Sequence, residues 1–247
     1  MKVLVGIFIG IVSVVLVLVL VAGYFGFVPG VSKIFGSDKP IDLGVTWSQA
    51  DYQSANAKSG IKFTDLTPGL PPEQSIVISG PARPVSADFT QSEFNALLNV
   101  RPWEYYPLKD CQMRINPDNT MEFSCLILTD RFEGYARTVG ISEDTQATIL
   151  NQIKMAGILQ NEIPYYVKAK ASVLNGQIDF TTYQVKVGRL SISGSTVDKY
   201  KQDLISMAQN RISHVAGFSC KNFSIANGKV HFDGTLPTSV QRSPGLK

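Results

Sequence analysis

The hydropathy pattern is dominated by an N-terminal apolar run over residues 3–28, interrupted only by Ser13 and Tyr24. No charged residue lies between Lys2 and Lys33. As a helix rising ~1.5 Å per residue, such a run exceeds the roughly 30 Å hydrocarbon core of a bilayer. It is also longer than the apolar core of a cleaved signal peptide. The pattern therefore predicts an uncleaved signal-anchor, a single transmembrane helix.

The rest of the chain has the mixed composition of a folded domain. We expect residues 1–28 to form the anchor and residues 29–40 a linker. Residues 41–236 are expected to form one domain, and residues 237–247 a disordered tail.

A short internal repeat marks two helix starts, at residues 46–58 and 90–99. Aligning Ser48 with Thr90 places Asp51 opposite Glu93. A hydroxyl residue followed three positions later by an acid is the pattern of a capping box, or close to it for aspartate. The acids are therefore expected to accept from free helix N–H groups and not to act in catalysis. Two further helices are expected, one opening at Ser142 and one over residues 197–215.

Asn-Gly dipeptides at residues 175–176 and 227–228 predict two tight β-hairpins. The first pairs Val173 with Ile178 and Ala171 with Phe180, and the second pairs Ile225 with Val230 and Phe223 with Phe232. Further strands are expected at residues 75–79 and 132–139. The fold class predicted is α+β: a transmembrane helix followed by long antiparallel β-hairpins, with about four helices packed on one face.

Another hairpin is expected around Asp118, with Met113 opposite Phe123. That register places Cys111 opposite Cys125, close enough for a disulfide. A disulfide implies an oxidising compartment, so the domain is expected to be extracytoplasmic in a bacterial cell envelope. The alternative is a pair of ordinary buried thiols. Cys220 is then left without a predicted partner.

Three aromatic side chains lie between two prolines: Trp103, Tyr105 and Tyr106. Such a loop suits contact with a ligand or a membrane interface. The alternative is a lid that packs onto the core.

Little in the sequence points to catalysis. The net charge of +3 is too small and dispersed to indicate a nucleic-acid partner. His214 and His231 lack an accompanying nucleophile motif, and no zinc, calcium or phosphate-loop pattern is present. The protein is therefore not expected to be an enzyme or to hold a metal or another cofactor.

Two segments carry a resemblance to a known family. Residues 89–99 resemble a helix start in bacterial membrane-anchored proteins of the YpmS type. Residues 163–190, the helix that follows them and the final hairpin are also similar to bacterial domains grouped with the tubular lipid-binding superfamily. The resemblance implies a curved antiparallel sheet around a helix, with an apolar groove for lipid acyl chains.

These observations favour a non-catalytic domain that binds a lipid or another apolar envelope molecule. The candidate groove residues are Phe180, Val185, Leu204, Ala208 and Ile212. The alternative is a structural or interaction module of the cell envelope with a filled interior and no small-molecule ligand. A cavity between the sheet and the helix over 197–215 would distinguish the two. Protein partners are not predicted.

Overall fold

The computed structural model describes residues 2–144, 146–147, 151 and 161–245. Among these, the side chains of residues 2–12, 200, 203–204, 207 and 210–214 are outside the description. The described helices are α1 (Lys2–Tyr24), α2 (Val31–Phe35), α3 (Gln49–Ser59), α4 (Gln91–Asn99), α5 (Phe132–Thr138) and α6 (Gly194–His214). The strands are β1 (Lys62–Asp65), β2 (Ile76–Thr90), β3 (Leu108–Ile115), β4 (Met121–Leu128), β5 (Glu162–Leu174), β6 (Gln177–Val187), β7 (Leu190–Ile192), β8 (Ser219–Ala226) and β9 (Lys229–Arg242).

The nine strands form one mixed sheet. Strand β9 pairs with β2 along one edge, and with β8 and then β1 along its other edge. The β1–β9 pair is parallel. Strand β5 pairs with β6 on one edge, and with β4 and the end of β8 on the other. The sheet therefore branches at β5.

The predicted fold class is wrong in two respects. The sheet is not built from antiparallel hairpins alone, because β1 returns beside β9 in the parallel direction. The structure also describes six helices where about four were expected; α2 packs against α1, and α5 packs against the short turn Pro72–Gln74. The helix expected to open at Ser142 lies largely outside the described residues.

The predicted hairpin registers are confirmed. Val173 pairs with Ile178 across the first Asn-Gly turn, and Ile225 pairs with Val230 across the second. Asn175 and Asn227 both have φ 52, the left-handed conformation that such turns require. Strand β2 is much longer than the predicted residues 75–79, because it continues past a register shift between Ser79 and Ala82.

Both predicted capping boxes are confirmed. The Ser48 hydroxyl accepts from the Asp51 amide at 3.2 Å, and the Asp51 carboxylate accepts from the Ser48 amide at 2.8 Å. Thr90 and Glu93 make the same two bonds, at 3.2 and 2.8 Å. The Glu93 carboxylate also accepts from Lys58, which ties α3 to α4.

Helix α4 covers the free edge of β3 through a series of amide side chains, Gln91, Asn95 and Asn99. Spaced four residues apart, they lie on one face of the helix. They bond to the backbone of alternate β3 residues, Ile115, Met113 and Cys111. Asn95 makes both bonds to Met113, accepting from its N–H at 2.7 Å and donating to its C=O at 2.8 Å. An edge strand is thereby sealed without another strand.

Helix α1 ends at Tyr24, and Gly26 then takes φ 92, so the last residues of the apolar run leave the helix. No helix in the described part of the chain is long and apolar enough to cross a membrane. The predicted transmembrane signal-anchor is therefore contradicted.

The predicted disulfide is also contradicted: Cys111, Cys125 and Cys220 are all free and buried. The predicted pairing of Met113 with Phe123 is correct, but the register shifts between Lys109 and Gln112, next to Asp110 at φ 52. That irregularity takes Cys111 out of regular pairing with β4. A hydrogen bond with Cys111, together with burial, raises the pKa of the Cys125 thiol. The two cysteines are thus neighbouring thiols.

Two further segments differ from expectation. The segment predicted as a strand over 132–139 is helix α5, in which Gly134 lies directly against the ring of Tyr105. The expected disordered tail instead carries β9 to Arg242, followed by the fully buried Ser243. Ser243 is held by backbone bonds to Ser75 and Glu104.

Candidate functional site

A partly open cavity of about 600 Å³ lies between helix α4 and the sheet. Its walls come from β1, β2, β8 and β9, from the ends of β5 and β6 that meet at their hairpin, and from α4. Val215 and Phe218, between α6 and β8, also line it. Ligand pockets in proteins commonly measure roughly 300–1,000 Å³. The cavity is therefore of a size that holds a small molecule.

The walls are apolar because cross-strand pairs present their side chains to one face of the sheet. Residues directly opposite each other in an antiparallel pair share a face. Such pairs in the cavity wall include Phe89 with Val230, Phe223 with Phe232, and Ile78 with Val240. Helix α4 adds Phe94 and Leu97, which are three residues apart and so lie on one side of the helix.

Arg101 is the only charged residue among the described side chains that line the cavity. It follows the end of α4 and is exposed, so it marks a part of the cavity wall that is open to solvent. Its Nε donates to the Leu97 carbonyl at 2.8 Å, and its guanidinium lies 5.5 Å from the centre of the Tyr106 ring. These contacts fix the group, and its terminal N–H groups have no hydrogen-bond partner among the residues that the structure describes.

A second, polar depression of about 320 Å³ also has Arg101 in its wall. Its other charged residues are Lys109, Arg131 and Asp110. Lys109 forms a salt bridge with Glu162 at 2.9 Å, and Arg131 donates to the Tyr106 carbonyl at 3.3 Å. Arg101 therefore stands between an apolar and a polar, positively charged space.

Of the sequence-predicted groove residues, the three whose side chains are described do not line this cavity. Val185 is buried within the sheet, where it pairs with Val167 and Ile192. Phe180 pairs with Ala171, and Ala208 is exposed on α6. The side chains of the remaining two, Leu204 and Ile212, lie outside the described residues.

The aromatic segment predicted as a possible lid packs onto the domain and does not cover the cavity. Trp103 is buried and donates to the Ser75 hydroxyl at 3.0 Å, and Tyr105 donates to the Leu70 carbonyl at 2.9 Å. Burial raises the pKa of Tyr106 to about 12. None of the three lines the apolar cavity. The packed alternative is therefore the observed one.

The residues that do line the cavity were missed as a site, although the sequence paired several of them correctly. The pair Phe223–Phe232 followed from the second Asn-Gly turn. What sequence patterns did not supply was that α4 lies across from that face; of the helix expected there, Val215 at its C-terminal end lines the cavity.

Reactive groups are few around the cavity. Cys220 lines it, and burial raises the pKa of its thiol, which keeps the sulfur neutral. Across the described residues, no three His, Cys, Asp or Glu side chains group as metal ligands would. His231 lies elsewhere, with its Nδ1 2.7 Å from the exposed Asp88 carboxylate. The arrangement suits binding of an apolar group.

Comparison with known proteins adds no relative: no family model, no curated protein and no solved structure matches this chain.

Proposed function

We propose that this protein binds the apolar chain of a lipid or a similar molecule in the cavity between α4 and the β1–β2–β8–β9 part of the sheet. The observation that carries the proposal is the cavity itself, with a volume of about 600 Å³ and walls formed by aromatic and aliphatic side chains. An apolar ligand gains free energy by leaving water for such a surface. No catalytic step is part of the proposal.

Two further observations support a ligand over a filled core. The cavity lies beside the main hydrophobic core and shares Phe89 and Val230 with it, so its walls are held by well-packed neighbours. The resemblance to tubular lipid-binding domains favours the same class of ligand. In the present chain, however, the apolar space faces α4.

The test is native mass spectrometry of the full chain, with extraction and identification of any bound lipid. Apolar side chains of residues 14–21 are exposed on α1, so an amphipathic polymer replaces detergent, whose tails would compete for the cavity. Ala171→Trp places a large ring in the cavity wall. Thr181→Trp is the matched control, since Thr181 is exposed on the neighbouring strand and does not line the cavity.

We expect a bound lipid in the wild-type chain and in Thr181→Trp, and its loss in Ala171→Trp. Thermal unfolding of each variant verifies that it is folded, and Ile78→Phe provides a smaller filling change from β2. A wild-type chain that carries no lipid and takes up no fluorescent fatty acid would refute the proposal. It would then favour the alternative of an interaction module without a small-molecule ligand.

A further inference from the structure

Arg101 is an unusual residue in the wall of an apolar cavity. An arginine side chain carries five N–H donors in a planar fork. One of them, Nε–H, is used by the Leu97 carbonyl. Among the described residues, no carboxylate lies within 4.0 Å of the Arg101 guanidinium. A permanent positive charge therefore borders the apolar space without an ionic partner.

The two lysines, Lys109 and Lys58, differ from Arg101 in this respect, whereas Arg131 also has no carboxylate partner within 4.0 Å among the described residues. Lys109 is engaged by Glu162, and Lys58 by Glu93. Arg131 donates to a backbone carbonyl, and Asp110 contributes one negative charge to the same polar depression. Among the described residues, Arg101 is the cation that borders both the apolar cavity and the polar depression, so it is placed to pair with the charged head group of a chain held in the cavity.

We infer that the ligand is a long-chain fatty acid, whose chain occupies the apolar cavity and whose carboxylate pairs with Arg101. This inference rests on the proposed function and specifies the head group of its ligand. The planar guanidinium fork matches a carboxylate with two parallel hydrogen bonds. A phosphate monoester carries nearly twice the charge of a carboxylate, and Asp110 lies in the wall of the same polar depression, so we favour the carboxylate.

The Tyr106 ring helps to position the Arg101 guanidinium for this pairing. It lies 5.5 Å from the Arg101 guanidinium carbon, in the range where an aromatic face attracts a cation. Together with the bond to Leu97, it holds the fork at the border of the two spaces. An arginine fixed in this way loses less conformational entropy when it binds than a free surface arginine does.

The experiment compares palmitic acid with cetyl alcohol, which has the same chain but no charge, by displacement of a fluorescent probe from the full chain. We expect the acid to bind wild type about 10- to 100-fold more tightly than the alcohol, as for a hydrogen bond to a charged group. Arg101→Gln is expected to remove this preference by weakening acid binding while leaving alcohol binding unchanged. Arg101→Lys keeps the positive charge but lacks the planar guanidinium, so it should retain part of the preference for the acid.

Arg137→Gln is the matched control. Arg137, on α5, pairs with Glu73 and lines neither the cavity nor the polar depression. It should leave both affinities unchanged. Equal binding of acid and alcohol by wild type, or an unchanged preference in Arg101→Gln, would overturn the head-group assignment while cavity binding stands. If neither compound binds wild type, the proposed function itself fails.

Discussion

The amide contacts between α4 and β3 allow a quantitative prediction about stability. Asn95 is 1% exposed and makes two hydrogen bonds to the backbone of Met113, which is also 1% exposed. Asn95→Ala would leave one N–H and one C=O of Met113 buried without a partner. In the described part of the chain, no strand pairs with that edge of β3.

Each buried backbone group left unpaired costs about 1–3 kcal/mol. The two groups at Met113 therefore predict a loss of about 2–6 kcal/mol in the free energy of unfolding. Single domains are usually stable by only about 5–15 kcal/mol. The substitution is thus expected to consume a large part of the total stability.

Urea-induced unfolding, followed by tryptophan fluorescence, measures this loss. The matched control is Gln53→Ala, because Gln53 occupies the equivalent position of the internal repeat in α3 but is exposed. The control should change the unfolding free energy by no more than about 0.5 kcal/mol. A loss below about 1 kcal/mol for Asn95→Ala would refute the idea that α4 seals the strand edge through its amides.

Three further predictions concern charge, backbone and thiols. Burial raises the pKa of Glu93, but hydrogen bonds from Lys58 and Ser54 outweigh burial and hold the pKa below its ordinary value of 4.5. Glu93 therefore stabilises the fold above that pH, and unfolding free energy should fall as pH drops from about 5 to 3. Glu93→Gln should flatten that fall in acid titrations; an unchanged slope would contradict this assignment. Gly188→Ala should lower the melting temperature through about 1–3 kcal/mol of strain, since φ is 59 and a Cβ would lie 2.0 Å from the Phe25 carbonyl oxygen. Gly194→Ala is the control, because the space around a Cβ at this position is open, and it should leave the melting temperature unchanged. Equal melting temperatures of the two variants would argue against backbone strain at residue 188. When the chain is unfolded without reductant, three thiols should react with a thiol reagent. If only one thiol reacts, the chain contains a disulfide and the assignment of free cysteines is wrong.

Local patterns in the sequence predicted local structure well. A capping box involves residues three positions apart, and an Asn-Gly turn fixes the register of the strands on either side. The helix starts at Ser48 and Thr90 and the pair Phe223–Phe232 therefore followed from the sequence alone. These predictions held because the interacting groups are close along the chain.

The predictions that were wrong concern structure that depends on contacts between residues far apart in the sequence. Residues 132–139 have a strand-like composition, but they pack as α5 where Gly134 meets Tyr105 from another part of the chain. The predicted disulfide needed regular pairing of β3 up to Cys111, and an irregularity beside that residue removed it. Parallel pairing of β1 with β9 joins segments almost 180 residues apart, for which no turn provides a signal.

The sequence by itself determined separate parts of the candidate site: the start of α4 at Thr90, a strand over residues 75–79 and the paired residues of β8 and β9. Only the tertiary structure decided that these faces enclose a common space and that Arg101 borders it. The physical reason is that hydrophobic burial is non-directional. A periodic apolar face predicts that the face will be buried. Which element buries it depends on the packing of the whole chain.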